Sequence, residues 1–272
     1  MKKDTDLLSS DHHRSYNPAY FAPLFATEDR HFWFKARNLV IETLMNQIIA
    51  DLAPGYRILE VGCGTGNTLR VLQSVCKSGI VVGMDLFAEG LPYARQRTPC
   101  SLIQGDIHHS PFNTTFNCIC LFDMLEHLSD DMQILHDLQS LLTLNGRLFL
   151  TVPAHPNLWS YFDEESHHFR RYQLAELRNK LLAAGYQIEY LTQYMLSIFP
   201  LVKLGRKLAS LTNRSVQQRA NLSSKQLTIR ELQIVPIVNE LLTWLLSQEV
   251  SLIKRRLPIP LGTSLLAIAR KK

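Results

Sequence analysis

The chain has 272 residues, of which 46% are hydrophobic, and both values suit one α/β domain with additions. Its formal net charge of +5 is too small by itself to indicate a nucleic-acid-binding protein. The five cysteines include no C-x-x-C pair, so we expect reduced core cysteines in a cytoplasmic protein, and we expect no metal site. No apolar run reaches transmembrane length, and Met1–Lys3 precede a polar stretch instead of a signal-peptide core.

The first predicted helix follows a polar stretch over residues 1–20 and runs through Ile49. Its start carries three consecutive aromatic residues, Phe32, Trp33 and Phe34. Three neighbours on a helix cannot all face one core. Either two of them pack and one stays partly exposed, or some of them contact a ligand, and the sequence leaves both interpretations open.

A strand, a glycine-rich turn and a helix come next. The apolar run Ile58–Val61 predicts a buried parallel strand, glycines follow at positions 62, 64 and 66, and a helical period runs from Asn67 to Lys77. This arrangement directs bare backbone N–H groups, at a helix N-terminus, toward a bound ligand. Dinucleotide-binding proteins use the spacing G-x-G-x-x-G, so the pattern G-x-G-x-G found here disfavours a nicotinamide-dependent dehydrogenase.

Strands and helices then alternate, the pattern of a parallel sheet whose crossovers are helical. The predicted strands are Gly79–Leu86, Ser101–Gly105, Phe116–Phe122, Arg147–Val152 and Tyr186–Tyr194, and the predicted helices between them are Phe87–Arg97, 129–142 and Gln173–Ala184. Asp85 stands at the end of the second strand, about 20 residues beyond the glycines, where an acid holds a ribose diol. The alternative is that Asp85 only caps a helix.

A long insertion precedes the last predicted strand, Gly262–Arg270. Helical periodicity covers Ser197–Leu211 and Ile237–Leu257, and Lys203–Arg230 contains seven Lys/Arg residues without any Asp or Glu. Three interpretations stay open. The insertion forms a helical lid over an acceptor pocket, or it serves dimerisation or simple packing, or it lies as an interfacial helix on a membrane surface.

Three stretches of the chain resemble motifs of one family. The G-x-G-x-G turn, together with Glu60 two residues before its first glycine, resembles motif I of the class I S-adenosylmethionine (SAM) methyltransferases. Gly105-Asp106-Ile107 resembles the motif by which that family holds the adenine edge. The run Asp123–Leu128 is close to a phrase common in its small-molecule members.

A further stretch, His168-x-Arg170-Arg171-Tyr172, resembles a segment in a large group of bacterial SAM methyltransferases. That group usually has Gly where His167 stands here, and Thr or Ser where Gln173 stands. Because of the first departure, the motif does not decide between His167 and His168 as the functional histidine. The resemblance covers residues 28–185, motif after motif in the same order.

The resemblance implies the fold class. The chain is expected to form a Rossmann-like α/β domain with a doubly wound, seven-stranded, mostly parallel sheet whose last strand is antiparallel. The expected divisions are an N-terminal helical cap over residues 1–50, the SAM-binding core over 51–195, a helical lid over 196–258 and a final core strand over 259–272.

The resemblance also implies SAM as the cofactor, with S-adenosylhomocysteine as its product. Arg37 is expected to face the cofactor carboxylate, a task that its two-pronged guanidinium suits. Asp85 is expected to hold the ribose, and Asp106 to accept from the adenine amine. The full set of expected cofactor-binding residues is Arg37, Glu60, Gly62, Cys63, Gly64, Asn67, Asp85, Leu86, Asp106, Ile107 and Asp123.

The acceptor is expected beside the loop that follows the fifth strand, because this loop hangs off the ligand-binding edge of the sheet. Methyl transfer needs alignment and, for a neutral acceptor, removal of a proton, for which histidine is suited. His168 is the first candidate for this base and His127 the second; the alternative for His127 is a helix-start histidine bonded to backbone. The expected substrate-binding residues are Phe32, Trp33, His155, Arg171 and Tyr172. The alternative for Arg170 and Arg171 is that one of them is solvated and the other is paired with Asp163 or Glu164.

The sequence thus predicts a SAM-dependent methyltransferase of the cytoplasm that methylates a small organic acceptor, at a hydroxyl or carboxylate oxygen of a natural-product or lipid-like intermediate. The alternatives are N- or C-methylation and a non-catalytic SAM-binding partner. The expected partners are the small acceptor and no nucleic acid, since no Asn/Asp-Pro-Pro-Tyr/Phe motif is present. Peripheral membrane contact and a monomer or homodimer complete the expectations.

Overall fold

A computed structural model describes residues 16–211 and 232–272, apart from the side chains of residues 208–211. A seven-stranded sheet lies at its centre, in the order β3-β2-β1-β4-β5-β7-β6. The strands are β1 Arg57–Val61, β2 Ile80–Asp85, β3 Ser101–Gln104, β4 Phe116–Phe122, β5 Leu142–Pro153, β6 Tyr186–Tyr194 and β7 Ser264–Lys271. All neighbouring strands are parallel except β7, which inserts antiparallel between β5 and β6. The predicted fold class is confirmed.

Helices cover both faces of this sheet. They are α1 Phe21–Thr27, α2 Phe32–Ala50, α3 Asn67–Val75, α4 Leu91–Arg97, α5 Asp131–Leu141, α6 Tyr161–Glu165, α7 Leu174–Ala183, α8 Phe199–Leu211 and α9 Pro236–Lys254. No helix in 16–211 or 232–272 is both long enough and apolar enough to cross a membrane.

Most predicted bounds agree with the structure to within three residues, but two elements begin four and five residues away from their predicted starts. Helix α4 begins at Leu91 instead of Phe87, because the Asp85 carboxylate accepts the backbone N–H of Phe87 at 2.9 Å and the chain turns before the helix. Strand β5 begins at Leu142 instead of Arg147, because buried Leu142 pairs with Phe116 of β4. The sequence Asn145-Gly146 indicated a turn there, and Asn145 does adopt a positive φ, but within the strand.

The core divides between the two faces of the sheet because successive strand residues point to opposite sides. Ile58 belongs to a buried cluster with residues of α2, α3 and α9, whereas Leu59 belongs to a second cluster with residues of α5 and α7. All five cysteines are buried, and none is paired in a disulfide. The sheet is therefore covered on both sides, and its ligand-binding edge is left at the carboxyl ends of the parallel strands.

The insertion contributes two described helices. Helix α9 packs against α2, and its Leu246 and Ile253 join the buried cluster on that face. The carboxylate of Glu249 on α9 accepts the backbone N–H groups of Leu196 and Ser197 at 3.0 and 2.8 Å, immediately before α8. These bonds fix the start of α8 on α9. Most of the basic stretch predicted at 203–230 lies outside the described residues.

Candidate active site

A cavity of about 600 Å³ opens at the carboxyl ends of β1, β2 and β4. The N-terminal helices α1 and α2 form one wall, and the start of α8 lies at another. The sequence-predicted residues that line it are Phe32, Trp33, Arg37, Gly62, Cys63, Gly64, Asn67, Asp85, Leu86, Asp106, Ile107, Asp123, His127, His168 and Arg171. Residues from the first and the last of the sequence motifs thus line the same cavity.

The glycine turn between β1 and α3 forms one side of this cavity. Gly62, Gly64 and Gly66 all have positive φ, a conformation that other residues adopt only with strain. A side chain at Gly66 would lie 2.8 Å from the backbone of Ala94, so this glycine lets α3 and α4 approach closely. A side chain at Gly64 would meet only Phe21, at 3.6 Å, so this glycine leaves open the space that a ligand would use.

Asp85 lies beside this turn at the end of β2. Its carboxylate accepts the N–H of Gly64 at 2.7 Å and that of Phe87 at 2.9 Å. Burial raises the pKa of Asp85 to about 6, against the two backbone hydrogen bonds, which lower it. The side chain lines the cavity and caps the turn after β2, and its expected contact with a ribose stays a prediction.

Arg37 of α2 lies at a second edge of the cavity. Its guanidinium pairs with Asp123 at 2.9 Å, donates to Asn67 at 3.2 Å and lies 5.0 Å from the ring centre of Trp33. Its Nε is buried and has no hydrogen-bond partner among the described residues. An orphaned donor in a buried guanidinium fits an anionic group of a bound ligand.

Asp106 follows β3 at the far end of the same edge. Its carboxylate accepts the N–H of His108 at 2.9 Å and lies 3.2 Å from Nδ1 of His109. Ile107 beside it is buried and lines the cavity. An apolar side chain next to an acceptor oxygen suits a flat, hydrogen-bonding ring.

At the opposite end, His127 and His168 face one another. Their ring centres lie 4.7 Å apart with nearly perpendicular planes. Nδ1 of His168 lies 3.0 Å from the carboxylate of Asp163, which also accepts from Nε of Arg171 at 2.7 Å. Although burial raises the pKa of Asp163, the bonds and charges of His168 and Arg171 outweigh burial and lower this pKa to about 2. Asp163 is therefore ionised and holds His168 in one orientation.

Both arginines are paired with carboxylates. Arg171 is paired with Asp163, as the alternative stated, whereas Arg170 is not solvated but forms an ion pair with Asp131 at 2.8 Å and donates to the carbonyl of Ser129. Of the two, Arg171 lines the cavity.

Three residues of the predicted site lie outside the cavity lining. Glu60 is buried against Thr68, whose hydroxyl donates to it, and burial raises the pKa of Glu60 to about 8. His155 bonds Gln193 at 2.7 Å and packs on Phe199. Tyr172 is fully buried and donates its hydroxyl to Asp131 at 2.8 Å. The structure does not bring these three to the others, because each faces the core or a neighbouring strand.

Several lining residues had no individual prediction, and Arg206 was predicted only as part of the basic stretch Lys203–Arg230. Glu126 is buried beside His127, and only its place in the Asp123–Leu128 phrase signalled it. The rings of Tyr16 and His127 meet edge to face with their centres 5.6 Å apart, although Tyr16 lies in the polar start of the chain. Arg206 of α8 lines the cavity 6.0 Å from the ring centre of Tyr161 and forms no ion pair with a described carboxylate. Burial lowers the pKa of Arg206, as expected for a cation held away from water.

Comparisons with known proteins agree with this geometry. The family model described as a methyltransferase domain matches residues 26–191, more than half of the chain. A 2-phytyl-1,4-naphtoquinone methyltransferase of Thermosynechococcus vestitus is 31% identical over 50% of this chain and 63% of its own length. A ubiquinone biosynthesis O-methyltransferase of Vibrio campbellii is 30% identical over 47% of this chain and 57% of its own length. The chain thus matches about three fifths of the length of these relatives.

Among solved structures, the plantazolicin methyltransferase BpumL, in complex with a desmethyl plantazolicin analogue and S-adenosylhomocysteine, shares the fold with a TM-score of 0.56. That likeness covers 88% of this chain and 85% of the other at 15% identity, so it concerns the fold alone. The family model, the sheet order and the glycine turn agree. The chain belongs to the methyltransferase-domain family of class I, SAM-dependent enzymes.

Proposed function

We propose that the protein transfers the methyl group of SAM to an oxygen of a small organic acceptor that carries an anionic group. The observation that supports this most is that one cavity collects both sets of groups along the order of the strands. Asp106, Asp85 and the glycine turn follow β3, β2 and β1, whereas His127 and His168 follow β4 and β5, and Arg37 pairs with Asp123 after β4. SAM and the acceptor could bind side by side in such a cavity and react there.

The cofactor end has the groups that SAM requires. The open space at Gly64 admits a ligand, the orphaned Nε of Arg37 suits its carboxylate, and the carboxylate of Asp85 suits a ribose diol. Of the eleven residues expected to bind SAM, we retain those that line the cavity and set aside Glu60, which is buried behind it. The positively charged sulfur of SAM activates the methyl group, so the protein mainly aligns the two reactants.

The acceptor end has a base and a cation. Because ionised Asp163 accepts from Nδ1 of His168, the lone pair of that imidazole resides on Nε2, where it can take the proton of a hydroxyl. Phe32 and Trp33 offer apolar surface, and Arg206 offers a positive charge without a paired carboxylate. An aromatic or lipid-like acceptor with an acidic substituent would match this lining, and the quinone-related names of two relatives are consistent with an aromatic ring.

The test is label transfer from methyl-labelled SAM to matched pairs of hydroxy acids and their amides, for example a dihydroxybenzoate and a dihydroxybenzamide. We expect ether formation with the acid at a lower acceptor KM. His168→Ala should lower turnover by about 10²–10⁴ with SAM affinity little changed, and the exposed His136→Ala serves as the matched control.

Two results would contradict this proposal. Label that appears only on nitrogen or carbon of the acceptor would replace O-methylation by the N- or C-methyl alternative. SAM binding without any transfer across the panel would favour the non-catalytic alternative. If turnover of His168→Ala equals that of the unchanged protein with a neutral hydroxyl, His127 becomes the base.

We further propose that the insertion caps the acceptor end. Val202 and Arg206 of α8 already line the cavity, and the positive charge of Lys203–Arg230 would attract an anionic acceptor. A lid of this kind predicts an effect on acceptor KM. Mutations that change only self-association or binding to anionic vesicles would instead support the dimer or the membrane-surface interpretation.

A further inference from the structure

Glu126, His127 and His168 meet at the acceptor end of the cavity. One ligand atom from each lies within 4.8 Å of those from the other two. We propose that these three residues bind a divalent transition-metal ion, and that this ion holds the oxygen of the acceptor. The second half of the statement rests on the proposed function, whereas the binding of the ion does not.

The burial of Glu126 is the first observation behind this proposal. Glu126 is 1% exposed, and its Oε2 has no hydrogen-bond partner among the described residues. A buried carboxylate is stable only when it is paired, protonated or bound to a cation. The nearby carboxylates of Asp123 and Asp163 disfavour its charge further, and Arg171 compensates them only in part because it is paired with Asp163. A metal ion would supply the missing positive charge.

The orientation of His168 is the second observation. Its Nδ1 is held by Asp163, which leaves Nε2 as the free ligand atom. Asp163 is itself fixed by the backbone N–H and hydroxyl of Ser160, at 2.8 and 3.1 Å. A histidine ligand whose other ring nitrogen donates to a carboxylate is the usual arrangement around protein-bound metals. The support for the ligand is therefore already in place.

The donor atoms indicate the class of ion. One carboxylate oxygen and two imidazole nitrogens suit Zn²⁺, Co²⁺, Mn²⁺ or Fe²⁺, whereas Mg²⁺ and Ca²⁺ prefer oxygen donors throughout. In a tetrahedral site, metal–ligand bonds of about 2.0–2.2 Å place two donor atoms roughly 3.4 Å apart. The three donor atoms, which lie within 4.8 Å of one another, would thus have to close by up to about 1.4 Å when the ion binds. Three protein ligands leave coordination positions open toward the cavity.

An ion at this place would change how the acceptor loses its proton. A hydroxyl that coordinates a divalent metal ion has a lowered pKa, so it can release its proton to water. The resulting oxyanion forms the new O–CH₃ bond while the S–CH₃ bond of SAM breaks and sulfur keeps the electron pair. Binding of the ion and removal of a proton by His168 both require the Nε2 atom of His168. The metal-loaded protein therefore relies on the ion, and the ion-free protein relies on the free imidazole.

The test is calorimetric titration of the chelator-treated, full-length chain with Zn²⁺, supported by the visible absorption of Co²⁺. We expect a single site in the unchanged protein. Glu126→Gln keeps the shape of the side chain and removes its charge, and it should weaken Zn²⁺ binding by more than about tenfold. His168→Ala should do the same. His136→Ala, which removes an exposed histidine of α5, should leave the site intact. Thermal melts and SAM affinity verify that each variant is folded.

The results separate this proposal from the proposed function. The chain has ten histidines, so equal Zn²⁺ affinity in all four proteins would mean binding by surface histidines and would overturn the metal site. A protein that transfers methyl groups but binds no ion would also overturn it and leave the proposed function standing. Loss of ion binding in Glu126→Gln and His168→Ala alone would establish the site, even if no acceptor in the panel were methylated.

Discussion

SAM binding should depend on the protonation state of a single side chain, that of Asp85. Its pKa is raised to about 6 by burial, and it accepts two backbone N–H groups. Ribose hydroxyls would donate to the ionised form, so a bound cofactor would lower this pKa. SAM affinity should therefore be constant above pH 7 and should fall by up to about tenfold per pH unit below pH 6. Calorimetry between pH 5 and pH 8 measures this dependence.

The control for this pH dependence is Asp85→Asn, which removes the titrating group and keeps the size of the side chain. We expect this variant to bind SAM more weakly by about tenfold or more, since hydrogen bonds to a charged acceptor are worth roughly 1.5–3 kcal/mol each. Its weaker affinity should also be independent of pH over this range. If the unchanged protein shows a flat profile, Asp85 serves only as the cap of the turn after β2.

Two glycines of the same turn should separate effects on function from effects on folding. Gly64→Val places a side chain in open space beside Phe21, so we expect SAM binding to be lost; the positive φ strains the valine and lowers the melting temperature, but the thermal melt should stay cooperative. Gly66→Ala forces a Cβ to within 2.8 Å of the Ala94 backbone, so it should lower the melting temperature by disturbing the packing of α3 on α4. Thermal shift with and without SAM tests both. A normal SAM-induced shift in Gly64→Val would contradict the assignment of the turn to the cofactor.

Single residues also show where sequence reasoning reaches its limit. Asp85 and Asp106 follow from their positions at strand ends, because the carboxyl ends of parallel strands share one edge. The surroundings of Tyr172 and Glu126 could not be predicted in this way, because burial decides whether each side chain faces the core or the cavity. Tyr172 belongs to a matching motif and yet donates to Asp131 in the core, whereas Glu126 had no assigned role and faces the cavity.

Among the secondary-structure elements, α8 provides the sharpest test of the insertion. Arg206 lines the cavity, and Lys203, one turn earlier on the same helix, is exposed. Arg206→Gln should raise the KM of an anionic acceptor by about tenfold, the value of one charge-assisted hydrogen bond, and leave SAM affinity unchanged. Lys203→Gln removes the same charge from the surface, so its effect should be small and should vanish in high salt.

Steady-state kinetics with an acid and its amide decide the role of Arg206. Equal losses for both acceptors would mean that Arg206 supports packing and does not bind the anion. Equal effects of Arg206→Gln and Lys203→Gln would mean that long-range attraction, and not a contact in the cavity, governs acceptor binding.

Elements were predictable where local and tertiary preferences agree. The order of strands and helices follows from hydrophobic periodicity and turn residues, and it is confirmed throughout the parallel part of the sheet. Boundaries failed where another partner overrides the local helix or turn signal. Pairing with Phe116 extends β5 back to Leu142 across a sequence that indicates a turn, and this distant partner is not visible in a short window of sequence. The start of α4 is delayed by a local partner instead, because the carboxylate of Asp85 accepts the N–H of Phe87 two residues later.

At the scale of the whole molecule, the sheet brings residues from distant parts of the chain to one cavity. Arg37 reaches it from the N-terminal cap, Asp85 from β2, and His168, which Asp163 holds, from the segment after β5. The antiparallel insertion of β7 places Thr263 and Ser264 at the same edge. Packing of α9 on α2 then ties the insertion to the cap, so that both walls of the cavity share one apolar cluster. The residues of both sides named in the sequence motifs lie within the matched residues 26–191, whereas Arg206 comes from the insertion, which lies outside that match.

A crystal structure of the protein with S-adenosylhomocysteine tests the central claim most directly. We expect the ribose hydroxyls within hydrogen-bond distance of Asp85, the adenine edge at Asp106 and the carboxylate at Arg37. The sulfur should face His127 and His168, with space between them for an acceptor. A ligand whose sulfur faces away from these histidines, or whose ribose avoids Asp85, would contradict the division of the cavity into a donor end and an acceptor end.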